Sequence, residues 1–172
     1  VKVTAETCPH YMHFTEDLLR GYDTAAKVNP PLRSPEDVAY LRSALADGVF
    51  DMFVTDHAPH AAHEKETPLD EAPQGISGLE TALPLTHALV RDNVISEKQF
   101  IALWNTGPAK VFNLPVNTFA PGDPADFILF DPGAEWVLNE TTTRSKGHNT
   151  PLWNKTLRGK VTANWVGGVK VL

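Results

Sequence analysis

Cysteine is almost absent from this sequence, because Cys8 is the only one among 172 residues. A single cysteine cannot form a disulfide within the chain, so we expect a reducing compartment, namely the cytoplasm. Long apolar runs are also missing: none approaches the roughly 20 residues that span a bilayer. No stretch has the composition of a signal peptide. These absences argue against a disulfide scaffold and against a membrane protein.

Positive charge is scarce as well. Lysine and arginine number 15 against 21 acidic residues, for a formal net charge of −6 and a pI near 5.6. The basic residues are dispersed, which argues against a nucleic-acid partner. Apolar residues make up 42% of the chain and include eight Phe and four Trp. The chain therefore has enough apolar side chains for a substantial core.

The strongest local signal lies within Asp51–His60. Met52–Thr55 is apolar, β-branched and aromatic, which predicts a short buried strand. Asp56, His57 and His60 follow it, and all three can bind a metal or move a proton. A carboxylate at the C-terminal end of a buried strand is typical of sites in α/β barrels and doubly wound sheets. The alternative is a strand that ends in a polar turn; the two histidines favour a site.

A second predicted strand, Val1–Thr7, alternates apolar and polar residues. A helix is predicted to begin after Ser34, with Pro35 in its first turn, and to end at Gly48. Strand, helix and strand make the unit of a parallel sheet. We therefore expect Thr7 and Asp56 at the same edge of that sheet.

Two further segments carry candidate site residues. Cys8 and His10 are candidate metal ligands; the alternative, which we favour, is that His10 and Tyr11 pack and hydrogen-bond beneath a loop. Asn29 precedes two prolines, which force it into an extended conformation. Its amide, held in a rigid loop, can read an amide-like edge of a ligand.

The segment Ala61–Gln74 is polar and long. Beside a site, such a loop is more often a lid or binding loop than a solvated connector. Gly75 then permits close backbone approach. Two capping boxes, Ser77 with Glu80 and Ser96 with Gln99, predict the starts of two helices.

From Pro115 onward the pattern indicates β-structure. Predicted strands are Asp126–Asp131, Trp136–Leu138 and Lys160–Val166, and a glycine turn leads into Val169–Leu172. This region is too short for an independent sandwich, so we expect it to pair with strands elsewhere.

Several motifs occur in a fixed order: Glu6–Tyr11, Lys27–Arg33, Thr55–His60, Ala72–Glu80 and Gly122–Asp126. Over essentially all 172 residues the chain resembles the C-terminal part of the dihydroorotases of the amidohydrolase superfamily, of the longer bacterial class. The first motif is shared with hydantoinases and allantoinases. The second and third, Asn-Pro-Pro-Leu-Arg and Asp-His-Ala-Pro-His, are more specific.

The resemblance implies an α/β fold. Residues 1–114 would be the C-terminal part of a (β/α)8 TIM-type barrel, with its last two strands and their helices. Residues 115–172 would be part of a small β-sandwich domain.

The resemblance also implies a zinc-dependent hydrolase with one or two ions, which interconverts dihydroorotate and N-carbamoyl-aspartate in pyrimidine biosynthesis. Asp56 would end barrel strand eight, bind metal and shuttle the proton. Asn29 and His60 would contact this small anionic substrate, and Gln74 and Gly75 would offer backbone groups to its ring. His10 matches a family motif but not a family metal ligand.

The departures from the family are large. The His-x-His of strand one, the strand-four carboxylate or carboxylated lysine and the histidines of strands five and six are absent, so Asp56 is the one family ligand present. A catalytic zinc usually needs three protein ligands. We therefore expect a piece of a longer protein, inactive alone, that packs against a missing N-terminal half or forms a homo-oligomer. The alternatives are an allantoinase- or hydantoinase-type cyclic amidohydrolase and a non-catalytic, dihydroorotase-like structural module.

Overall fold

A computed structural model describes residues 1–172, which form a helical part with one parallel strand pair and a separate antiparallel sheet. Three short 3₁₀ turns, at Pro9–Met12, Glu16–Leu19 and Thr24–Ala26, precede the first α-helix. The regular elements are β1 (Glu6–Thr7), α1 (Pro35–Ala46), β2 (Met52–Phe53), α2 (Ala62–Lys65), α3 (Ala82–Arg91), α4 (Glu97–Trp104), α5 (Thr106–Phe112), β3 (Phe127–Val137), β4 (Thr156–Val166) and β5 (Val169–Lys170). No helix combines the length and the apolar character needed to cross a membrane.

The parallel pair β1–β2 confirms the predicted strand–helix–strand unit, but both strands are shorter than expected. Glu6 pairs with Met52 and Thr7 with Phe53. Residues 1–4 are exposed and outside any strand, so the prediction of a strand over Val1–Thr7 is wrong in its first half. A strand extends only as far as a partner satisfies its backbone groups, and only β2 lies beside β1.

The helix-start signals succeed twice and fail once. Ser34 caps α1, and Ser96 caps α4 in the predicted box with Gln99. The box of Ser77 and Glu80 does not form, and α3 begins at Ala82. The Ser77 hydroxyl instead donates to the Gly147 carbonyl and so links two segments that are far apart in the sequence.

The core joins the helices to β2. Its buried members are Met12, Leu45, Phe53, Leu89, Ile95, Phe100 and Leu103. Leu45, on α1, is only 2% exposed. Leu41 is partly buried against the same cluster, because the 3₁₀ turn at Pro9–Met12 and α4 cover this end of α1.

The second part is the antiparallel sheet β3–β4–β5. The two strands predicted at Asp126–Asp131 and Trp136–Leu138 form one strand, β3, whose register shifts between Asp131 and Glu135. β4 begins at Thr156, four residues earlier than predicted. His87 on α3 joins the two parts, since its ring lies 5.3 Å from that of Phe130 and 5.4 Å from that of Phe100, measured between centroids.

Candidate functional site

The C-terminal ends of β1 and β2 open into one recess, as the parallel arrangement requires. Its volume is about 490 Å³. The lining residues are Glu6, Thr7, Cys8, Tyr11, Asn29, Pro30, Val54 and Asp56. Two of the five site residues expected from the sequence, Asn29 and Asp56, therefore meet in a single concavity.

Asp56 stands at the mouth of this recess. Its side chain is exposed, and its backbone has a positive φ of 46°. Non-glycine residues adopt this left-handed region rarely, aspartate more readily than most, and such residues cluster at functional sites. The neighbouring His57 turns away: its Nδ1 accepts hydrogen bonds from the backbone N–H groups of Gly78 and Leu79. His57 thus anchors a loop and does not line the recess.

Cys8 and His10 lie against Asp56. One ligand atom from each of the three residues falls within 4.8 Å of the other two. Burial raises the pKa of the Cys8 thiol to about 12, and the charges of Asp56 and Glu6 add to the rise. Burial lowers the pKa of His10 to about 4, so its imidazole is neutral near pH 7.

His10 packs as the favoured alternative predicted, but its hydrogen bonding differs. Its ring stands edge-on to Tyr11, 4.2 Å between centroids. Its Nε2 is buried and has no hydrogen-bond partner, whereas the expectation was a hydrogen bond beneath a loop. The Tyr11 hydroxyl does form one, donating to the Pro30 carbonyl at 2.8 Å, and so fixes the segment that carries Asn29.

His60, Gln74 and Gly75 form a second group, next to the recess but not lining it. The His60 Nε2 lies 3.1 Å from the Gln74 carbonyl oxygen. The Gly75 N–H donates to the Lys27 carbonyl, two residues before Asn29. The Gly75 carbonyl accepts a hydrogen bond from the Asn149 side chain, so both backbone groups of Gly75 are paired within the chain. The Gln74 carbonyl lies beside His60.

Gly75 admits no side chain. Its φ is +145°, and a Cβ at this position would lie 2.7 Å from the Ala58 Cβ and 3.0 Å from the His60 Nε2. The backbone of Gly75 is therefore closely approached, as expected, but by the Ala58–His60 segment of this chain.

Asn149, which no sequence pattern marks as a site residue, holds this second group together. Its side chain is buried; the amide nitrogen donates to the Ala58 and Gly75 carbonyls, and the oxygen accepts from the His60 N–H. No local pattern marks Asn149, because its partners lie 74 to 91 residues away along the chain.

Glu80 anchors the loop that carries Asn149. It accepts hydrogen bonds from the Thr143 hydroxyl and from the backbone N–H groups of Arg144 and Ser145. Burial acts to raise the pKa of Glu80, but these hydrogen bonds outweigh it and hold the pKa below its ordinary value. The carboxylate expected to cap a helix therefore joins two segments instead.

A pair of lysines, Lys27 and Lys65, ties down the segment Ala61–Gln74, which was predicted as a loop but contains the short helix α2. Lys65 is 7% exposed, and its ammonium donates to the Thr24 and Pro73 carbonyls at 3.0 and 2.6 Å. Burial lowers the pKa of Lys65, with a smaller contribution from the charge of Lys27. Lys27 donates in turn to the Leu69 carbonyl at 2.6 Å. The loop is thus held against the segment that leads to Asn29.

We expect Lys65→Met to loosen this loop. Methionine keeps the aliphatic length but leaves the partly buried Thr24 and Pro73 carbonyls without their donor, which costs about 1–3 kcal/mol. Hydrogen exchange at the Gly75 amide, read by mass spectrometry, should accelerate by roughly 5- to 150-fold. Lys98→Met, on the exposed face of α4, is the matched control and should leave the exchange unchanged. Unaltered exchange in Lys65→Met would show that Lys65 does not hold the loop.

The residues around Asp56 suit a zinc ion by type. Zinc is bound in proteins by cysteine sulfur, histidine nitrogen and carboxylate oxygen. Cys8, His10 and Asp56 supply one of each, and His10 has an unpaired nitrogen.

Comparison with known proteins defines the class. The model of the amidohydrolase family matches residues 1–171, so the chain belongs to the amidohydrolase family. Its fold agrees with solved members: an L-hydantoinase (dihydropyrimidinase) from Arthrobacter aurescens matches with a TM-score of 0.88 at 27% identity, and a D-hydantoinase with 0.83 at 28%. Each match covers 98% of this chain and 39% of the other.

Similar sequences among curated proteins include several dihydroorotases. That of Syntrophus aciditrophicus is 45% identical over 168 residues, and that of Syntrophotalea carbinolica 46% identical over 167. These alignments cover 97–98% of this chain but 39% of each relative. The chain thus spans about two fifths of the length of the dihydroorotases it matches.

Proposed function

We propose that this chain is the C-terminal portion of a dihydroorotase, which hydrolyses the cyclic amide of dihydroorotate and, in reverse, cyclises N-carbamoyl-aspartate. The observation that carries the proposal is the recess at the ends of β1 and β2, which Asp56 and Asn29 both line. The identity of about 45% to dihydroorotases supports this substrate class.

The finer architecture belongs to the same proposal. Residues 1–114 supply the last two strands of a (β/α)8 barrel and their helices, and residues 115–172 supply part of a β-sandwich domain. The remaining strands come from the rest of a longer protein. The parallel pair β1–β2, with helices beside it, supports this assignment.

Asp56 has the role of proton shuttle. Its carboxylate takes the proton from the attacking water and returns it to the ring nitrogen as that nitrogen leaves. The exposed side chain at the recess mouth allows contact with a substrate. The backbone of Asp56 has a positive φ of 46°, and the adjacent His57 accepts a hydrogen bond from the Gly78 N–H, which holds this turn in place.

Asn29 and His60 have the role of recognising the substrate through hydrogen bonds. The Asn29 side chain makes no hydrogen bond within the chain, so both its donor and its acceptor are free for an amide-like edge. His60 and the Gln74 carbonyl form a polar edge beside the recess. Because Gly75 has no side chain, its backbone packs directly against Ala58 and His60.

Asp56 would hold zinc, together with ligands from the rest of the longer protein. When bound, zinc supplies Lewis-acid activation of the attacking water and of the amide carbonyl. Its charge would also offset the negative charge of the substrate, since the chain itself carries a net charge of −6.

Removing either substrate-reading side chain should weaken transition-state binding. In the full-length enzyme we expect Asn29→Ala and His60→Ala to lower kcat/KM by roughly 5- to 150-fold each, which corresponds to about 1–3 kcal/mol for an unpaired polar group in the closed site. Steady-state kinetics with dihydroorotate measures this. Asn164→Ala on β4 and His63→Ala on the polar loop are matched controls that should keep the wild-type rate. Normal kcat/KM in both test variants would contradict the proposed substrate face.

A second candidate is a hydantoinase-type activity, favoured by the TM-scores of 0.83 and 0.88 to hydantoinases. Rates of the full-length enzyme on dihydroorotate, a hydantoin and allantoin decide between the candidates. We expect dihydroorotate to be preferred, because the dihydroorotases are more similar in sequence. A higher kcat/KM on the hydantoin would reverse the assignment.

A non-catalytic module is the third candidate. The intact mass of the native protein separates it from an enzyme portion: a species near 18.9 kDa, translated from an intact gene, would indicate a stand-alone module. We expect a product about two and a half times longer, since the chain covers 39% of its relatives.

A further inference from the structure

A loop of the β region, residues 143–150 between β3 and β4, packs directly against the segment that carries His60. Gly147 makes this close packing possible. A Cβ on Gly147 would lie 2.6 Å from the Pro59 Cβ and 2.8 Å from the His60 backbone nitrogen. Any side chain at this position would therefore displace one of the two segments.

Asn149, two residues further on, pairs three backbone groups with one side chain. Its amide nitrogen donates to the Ala58 and Gly75 carbonyls, at 2.9 Å each, and its oxygen accepts from the His60 N–H at 2.8 Å. None of these three backbone groups has another hydrogen-bond partner within the chain. Asn149 thus holds the His60 segment and the Gly75 segment together.

The two segments that Asn149 holds carry the two groups of the polar edge beside the recess. The His60 Nε2 lies 3.1 Å from the carbonyl oxygen of Gln74, which directly precedes Gly75. One side chain therefore fixes the backbone on both sides of this contact. Without it, three backbone groups lose their partner, and the segments must move apart to reach water.

Asn149 itself has no free donor for a substrate. Its side chain is buried, at 6% exposed, and both N–H groups of its amide are used within the chain. Its backbone carbonyl accepts from the Ser77 N–H at 2.9 Å. Glu80 fixes the start of the same loop through the Thr143 hydroxyl. Any effect of Asn149 on a substrate must therefore pass through the segments that it holds.

We propose that Asn149 is a positioning residue for substrate recognition: it sets the position of the His60 side chain relative to the Gln74 carbonyl. A loop of the β region then determines how tightly the site of the barrel region holds its cyclic amide. This inference rests on the proposed function, in which His60 recognises the substrate.

Steady-state kinetics of the full-length enzyme with dihydroorotate tests the role of Asn149. Asn149→Ala should lower kcat/KM by roughly 5- to 150-fold, the range expected for His60→Ala. KM should rise in both variants, because a displaced or absent His60 binds the substrate less tightly. A residue that only stabilises the fold would change the amount of active enzyme, and hence kcat, but not KM. Asn164→Ala on β4 is the matched control and should keep both constants; an unchanged KM in Asn149→Ala would overturn the proposal.

The double variant Asn149→Ala with His60→Ala separates positioning from an independent effect. If Asn149 acts through His60, its removal adds little once the His60 side chain is gone. The double variant should therefore lose about as much kcat/KM as the more damaged single variant. Independent effects would multiply to within about twofold, and a multiplied loss would contradict the proposal. Circular dichroism checks that the variants fold.

Hydrogen exchange in the unaltered full-length enzyme needs no variant. The His60 N–H, bonded to a buried side chain, should exchange at least about tenfold more slowly than the His63 N–H. His63 lies in the first turn of α2, where its N–H has no partner. Equal exchange rates would show that Asn149 does not hold His60. An unaltered enzyme that does not turn over dihydroorotate would instead contradict the proposed function, and the exchange rates would still test the contact.

Discussion

Replacing Asp56 by asparagine in the full-length enzyme is expected to lower turnover of dihydroorotate by about 10²–10⁴-fold, the usual contribution of a general acid–base step. Asparagine has the shape of aspartate and tolerates the positive φ of this position, but it cannot accept the proton of the attacking water. It also removes the negative charge that would hold a metal. The loss should therefore appear in kcat and kcat/KM together.

Asp70→Asn is the matched control for this substitution, because Asp70 is an exposed carboxylate on the polar loop. It should retain the wild-type rate. Thermal unfolding of Asp56→Asn should show a folded protein. More than about a tenth of wild-type turnover in that folded variant would contradict the role of Asp56 as proton shuttle.

The isolated 172-residue chain is expected to be inactive and to self-associate. Parallel sheets occur almost only with both faces covered, and β1–β2 is a pair of two-residue strands with open edges. The antiparallel sheet adds exposed apolar side chains at Ile128, Leu129, Val137, Val166, Val169 and Val171. Exposed apolar side chains on a sheet with open edges favour association.

Analytical ultracentrifugation of the purified chain, with a dihydroorotate assay in added zinc, measures both properties. Activity should stay absent even in added zinc, because the proposed function assigns the remaining metal ligands to the rest of a longer protein. Co-expression with the missing N-terminal portion should restore activity and reduce self-association. A monomeric isolated chain that turns over dihydroorotate would refute the assignment of this chain as a portion of the enzyme.

Local signals in the sequence determined the elements that depend on near neighbours. The caps at Ser34 and Ser96 and the hairpin at Gly167 and Gly168 form as predicted, since each rests on contacts within a few residues. The parallel strand pair was predictable too, because an alternating segment and an apolar segment flank a helix. The juxtaposition of Thr7 and Asp56 at one edge follows from that pairing.

Only the tertiary structure decided which polar side chains share the recess. His57 and His60 look alike as candidates in the sequence, yet His57 accepts two backbone hydrogen bonds from the segment just before α3, and His60 lies against Gln74. Ser77 and Glu80 match a capping box, yet they bind the loop at Thr143–Gly147. A buried polar group pairs with whichever partner the fold brings within reach, and that partner can lie many residues away in the chain.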